Sequence, residues 1–132
     1  MASEMTTWAE ARGQSAEGRK GSVRPVDLVH LSRYTLGERE LEREVLELFC
    51  TQSLLYLERL KDARSDKDWK DAAHSLKGSA RAIGAWRTAD AAESAEALSG
   101  DALAQSRALR IGEIESSVRE AETYIGSLLK DR

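Results

Sequence analysis

The sequence predicts an all-α fold: an antiparallel up-down four-helix bundle with a short helix ahead of it. Three observations carry this. Apolar residues recur at three- and four-residue steps through most of the chain, which is the period of an amphipathic helix and not of a strand. Alanine and leucine dominate the apolar set, aromatic residues make up only 5% and proline occurs once, which favours helices over sheets. The final stretch holds a near-heptad stripe long enough to need several partner helices to cover it.

Composition bounds the rest. At 132 residues the chain is one domain, and 41% hydrophobic with 33% charged residues suits a soluble helical protein. A net charge of −3 gives no basic surface for nucleic acid. Cys50 is the only cysteine, so no intrachain disulfide forms and a reducing, cytoplasmic setting is expected. No apolar run reaches the ~18 residues that span a membrane, and no signal peptide is expected at the N-terminus.

Residues 1–24 read as a flexible leader, in which Gly13, Ser15, Gly18, Gly21 and Ser22 break any helix. Met5 and Trp8 offer a short local turn, or a contact with the domain. The domain proper is expected at 25–132, beginning with a short helix over 25–34 that Pro25 opens from a first-turn position. Val26, Leu28, Val29 and Leu31 give it apolar contacts, and His30 among them reads as a structural, partly buried histidine. Gly37 separates this piece from a long helix at about 38–62. Its core stripe reads Leu41, Val45, Leu48, Phe49, Gln52, Leu55, Tyr56 and Leu60, with Glu40, Glu42, Arg43, Glu44 and Glu47 turned to water. Cys50 reads as a core or boundary residue, because no partner base is assignable to it.

The next helix is expected at about 67–82, with Asp66 as N-cap and Gly84 at the C-terminal cap. An alanine-rich helix follows at about 86–98, its small side chains permitting close approach, with Trp86 available to fill volume. Ser99-Gly100-Asp101 makes a turn. The last helix, about 102–130, carries Leu103, Arg107, Ile111, Ile114, Val118, Ala121, Ile125 and Leu128 on one side, with Arg107 the one polar interruption. The other amphipathic helices suffice to cover this stripe, so a monomer is expected rather than a coiled-coil dimer.

The residues that ask for a function lie on the 67–82 helix. Trp69, Ala72, Leu76, Ala80 and Ile83 form its apolar stripe, and His74 points about 150° away from the centre of that stripe, into water. Gly78 stands one turn further along the same outer face. A glycine inside a helix costs roughly 1 kcal/mol against alanine, and here it leaves room for another molecule to approach His74. Lys77, Lys70 and Arg81 flank the face, and Lys67 lies two turns before the histidine. An exposed imidazole, a bare spot beside it and a basic rim describe a place to hold a phosphate-like anion.

These residues resemble a known signature. His74-Ser75-Leu76-Lys77-Gly78-Ser79-Ala80, followed by Ile83-Gly84-Ala85, is similar to the motif of histidine-containing phosphotransfer (HPt) domains, over roughly residues 25–131. The resemblance implies a four-helix bundle capped at one end by a short helix, with His74 as phosphoacceptor, Lys77 stabilising phosphate charge and Gly78 giving steric access. It implies a phosphocarrier of a two-component phosphorelay, passing a phosphoryl group between receiver-domain aspartates. The partner is then the receiver domain of a response regulator or hybrid histidine kinase, and it supplies the Mg²⁺. The docking face would comprise Lys67, Lys70, Ala73 and Arg81, with Ala73 and Ala85 as its apolar part. Thr88 and Ala95 depart from the family pattern, which often has large aliphatics at those places.

An imidazole is a competent nucleophile near neutral pH, and attack on a phosphoryl group gives a phosphoramidate that can pass its cargo to a carboxylate. There is no Walker A loop, no glycine-rich nucleotide loop and no acid cluster to hold Mg²⁺, so the chain is not expected to phosphorylate itself from ATP or to carry a cofactor of its own. The two histidines share no metal-ligand spacing. Two other readings stay open: a helical interaction module that binds a regulator without carrying phosphate, and the histidine-bearing domain of a larger chemotaxis-type kinase.

Overall fold

The computed structural model describes residues 24–98 and 104–130. Among them every regular element is a helix: α1 Leu28–Thr35, α2 Arg39–Asp62, α3 Asp66–Ile83, α4 Trp86–Glu96 and α5 Ala104–Lys130. Each of α2 to α5 packs on the next, and α5 closes back onto α2. The connections after α2 and α3 are two to three residues long, which makes their helices antiparallel neighbours. The contacts agree: Trp69 at the start of α3 meets Ala95 at the end of α4, and Arg43 at the start of α2 reaches the Leu129 carbonyl at the end of α5. The expected leader, with Met5 and Trp8, lies outside the described residues apart from Arg24, as do the Ser99-Gly100-Asp101 turn and Leu103.

The core has two halves. One, beside α1, gathers Val26, Leu31, Leu46, Phe49, Ile83, Ala89 and Ile125. The other gathers Leu57, Leu60, Trp69, Leu76, Ala92, Ile114 and Val118, and it lies behind the outer face of α3. Arg107, the polar interruption of the α5 stripe, lies over the Trp69 ring at 4.8 Å and 3.9 Å from Asp66.

Local capping chemistry differs from the expectation at two helix starts. Pro25 lies ahead of α1 rather than in its first turn; Asp27 is the N-cap, and its side chain accepts from the His30 amide. Ser65, not Asp66, caps α3, accepting from the Asp68 amide. The end of α3 follows expectation, with Gly84 in the left-handed region at φ 73° and the Ala85 amide returning to the Ala80 carbonyl. Asp27 also ties this corner to α1. Its amide donates to the Gly84 carbonyl, and its other carboxylate oxygen accepts from Trp86 Nε1 at 3.2 Å. His30 is buried edge-on to Trp86, with ring centroids 4.7 Å apart.

The rotation of α2 shifts the expected stripe: Phe49 and Leu60 are buried as expected and Val45, Gln52 and Tyr56 are half-buried, but three leucines turn out and Glu42 turns in. The buried face is Glu42, Leu46, Phe49, Ser53, Leu57 and Leu60, whereas Leu41, Leu48 and Leu55 are 36%, 53% and 46% exposed. Two apolar sets overlap on this helix; Leu46, Phe49, Leu57 and Leu60 face in, and Leu41, Leu48 and Leu55 face out. The polar members of the inner face are satisfied locally: Thr35 Oγ1 donates to Glu42 and Ser53 Oγ to the Cys50 carbonyl. Arg43 and Lys61, which reach Leu129 and Glu115 on α5, fix the rotation from the other edge. Cys50 sits half-buried at the boundary, where burial, then Glu122 and Glu47, push its thiol up.

Candidate functional site

The outer face of α3 presents a row at three- and four-residue steps: Lys70, His74, Lys77 and Arg81. The row faces α4, and its first three members all meet one residue there. Lys70 Nζ donates to the Glu96 carbonyl oxygen at 2.9 Å and to that of Leu98 at 3.0 Å. His74 Nδ1 lies 2.9 Å from Glu96 Oε2. Lys77 Nζ donates to Glu96 Oε1 at 2.6 Å. Arg81 continues the row one turn on and pairs with Glu93 at 2.9 Å.

The His74 side chain is 51% exposed, that of Lys77 only 12%. Behind them Ala73 and Leu76 are fully buried, so the imidazole stands on a rigid wall. Glu96 can only accept when ionised, so the hydrogen bond places a proton on Nδ1. Nε2 then carries the free lone pair. Partial burial acts to raise the Glu96 carboxyl, but Lys77 and then His74 outweigh it and hold it below the ordinary carboxylate value.

Several expected site residues have other employment. Ala73 and Ala85 are 0% and 1% exposed, so neither has surface to offer a visitor. The Lys70 ammonium is engaged by two carbonyls at the end of α4, not held out as a free cation. Lys67 pairs with Asp71 at 2.5 Å, about 10 Å along the helix axis from His74. The basic rim is therefore answered by Asp71, Glu93, Glu96 and the α4 carbonyls. Gly78 lies on the turn after His74 and is half-buried. Glu96 is the residue that one-helix periodicity missed, because it comes from the neighbouring helix. Its signal was the matched spacing: Glu93 and Glu96 lie three apart, and Lys77 and Arg81 four apart, on antiparallel partners.

Among the described residues no group of three His, Cys, Asp or Glu is placed to hold a metal ion, and no helix is long and apolar enough to cross a membrane. No curated protein and no solved structure matches the chain significantly. The family model described as Hpt domain matches residues 44–129, from the first half of α2 to the end of α5. That match covers more than half of the chain, across all four bundle helices and the His74 row, and the chain therefore belongs to the Hpt domain family.

Proposed function

We propose that His74 carries a phosphoryl group between receiver-domain aspartates, with Glu96 and Lys77 as its two companions. Family membership supports a phosphotransfer role in a phosphorelay. What supports His74 as the acceptor is the half-exposed imidazole with Nδ1 engaged by Glu96, which leaves Nε2 as the nitrogen without a proton.

In this reading Nε2 attacks the phosphorus of an aspartyl phosphate in line. The N–P bond forms as the P–O bond to the carboxylate breaks, and the aspartate leaves as a free carboxylate. The lone pair is already available, so no proton has to be removed from Nε2. Positive charge grows on the ring during attack, and the Glu96 carboxylate on Nδ1–H stabilises it. An ammonium has three donors, and Glu96 takes one of those on Lys77; another is free for an equatorial phosphoryl oxygen. The return step is the same path reversed. The Mg²⁺ of such a reaction belongs to the partner receiver, and the chain acts as a phosphocarrier without an ATP site, as a cytoplasmic monomer.

The docking face in this reading is the surroundings of His74 and Gly78. Ala73 and Ala85, both buried, add no apolar surface to it. The test is incubation with a phosphorylated receiver, comparing the chain with His74→Gln. Acid-labile label is expected on the first and not on the second. Equal labelling of both overturns the assignment, and binding with no label on either points to an interaction module.

A further inference from the structure

We propose that Lys70 is a positioning residue of this site: by holding the last turn of α4 it places the Glu96 carboxylate on His74 and so selects the imidazole tautomer. The consequence for transfer rests on the reading of His74 above; the tautomer itself does not.

α4 ends without glycine or basic charge. It is only 11 residues long, and its C-cap Ala97 has φ −74° and ψ −12°, ordinary helical values with no glycine to turn the chain. Its last turn holds no basic residue. Glu96 is there instead, an acid at the negative end of the helix dipole, where it is disfavoured. So α4 carries neither of the usual local devices for finishing a helix.

The finish comes from α3. Trp69 Nε1 donates to the Ala95 carbonyl at 2.7 Å within the core, and Lys70 Nζ donates to the carbonyls of Glu96 and Leu98. Lys70 supplies the positive charge that the end of α4 lacks, and it serves carbonyls that α4 leaves open. It holds the backbone oxygen of the same residue whose two carboxylate oxygens meet His74 and Lys77. Position 96 is thus fixed at three atoms by three residues of one α3 row. Without Lys70, the last turn of α4 keeps its own backbone bonds, the Ala97 amide to the Glu93 carbonyl and the Leu98 amide to the Ala95 carbonyl, but loses the donor from α3 that sets where the Glu96 backbone lies against the row. Lys77 alone then holds the carboxylate, through Oε1, and the approach of Oε2 to Nδ1 is no longer set from the backbone side.

The experiment reads the neutral His74 ring by long-range proton–nitrogen correlation in the full, unphosphorylated chain at alkaline pH. The native chain is expected to show the Nδ1–H tautomer as the majority form. Lys70→Met is expected to turn it into the minority form, leaving the Nε2–H form that an unconstrained histidine favours. Lys70→Arg, whose guanidinium still donates to carbonyls, is expected to restore it. Glu96→Gln should abolish the preference and identify the group through which Lys70 acts. A native-like tautomer in Lys70→Met, or loss as deep in Lys70→Arg as in Lys70→Met, overturns the proposal. Should Lys70→Met fail to fold, Lys70→Ala, which also removes the donor, serves the same comparison, and an unmoved tautomer there has the same force. Because the rings are read without phosphate, a wrong phosphoacceptor leaves this result standing. Label transfer to His74 with an unmoved tautomer removes the role of Lys70 alone.

Discussion

Gly84→Ala should be among the most damaging single-methyl changes in this bundle, and Gly37→Ala is its control. Both glycines have positive φ, 73° and 79°. The left-handed conformation costs an alanine roughly 1 kcal/mol at either place. The surroundings differ. A Cβ at Gly37 meets nothing within 4 Å, whereas one at Gly84 meets the Asp27 Cβ at 2.5 Å and its backbone N and O at 3.0 Å. Asp27 cannot retreat freely, since it donates to the Gly84 carbonyl and accepts from the His30 amide and Trp86 Nε1. Losing two of these three hydrogen bonds costs about 2 kcal/mol. The expected loss is therefore about 3 kcal/mol for Gly84→Ala and about 1 kcal/mol for Gly37→Ala. In thermal unfolding that is a drop of about 12 °C against about 4 °C. Urea titrations of the two variants read the gap directly. Equal losses would refute the close packing of α1 on the α3–α4 corner, because only backbone strain would then be at work.

Other outcomes follow from the same geometry. Leu46→Ala should cost about 3 kcal/mol and Leu48→Ala under about 0.5 kcal/mol; the reverse order in urea midpoints would restore the stripe that hydrophobicity alone selects on α2. Gly112→Ala and Gly126→Ala each add a methyl to open space on α5 and should stabilise by about 0.5–1 kcal/mol in the same titrations. Glu96 titrates lower in the folded chain than its ordinary 4.5, so its contribution is complete above that value and is lost as the pH falls through the folded pKa. Native stability should therefore drop more steeply below about pH 4.5 than that of Glu96→Gln. Parallel pH curves for the two proteins would rule the linkage out.

Much of this was legible from the chain alone, and the rest fails for a common reason. The α3 face was readable because its apolar residues form one unambiguous stripe, which leaves His74 nowhere to point but outward. Gly84 was readable because a helix end followed by Gly is a local event. On α2 two stripes overlap, and hydrophobicity chooses Leu41, Leu48 and Leu55 over Glu42 and Ser53. The actual choice depends on Thr35, Leu129 and Glu115, which lie on other elements. The basic rim misled in the same way. Lys70 and Arg81 look like free cations until α4 brings its carbonyls and Glu93 against them. Periodicity reports where a side chain points on its own helix, not what it meets there.

Ala97 and Leu98, just past the end of α4, mark the place where thermal fraying begins, since helix termini open more often than helix middles. The imidazole is thus backed by the buried Ala73 and Leu76 and attended from the end of a neighbouring helix. Adaptability and solidity sit within one helical turn of each other, and amide exchange at residues 96–98 against that at 72–76 would show the contrast as a step in rate.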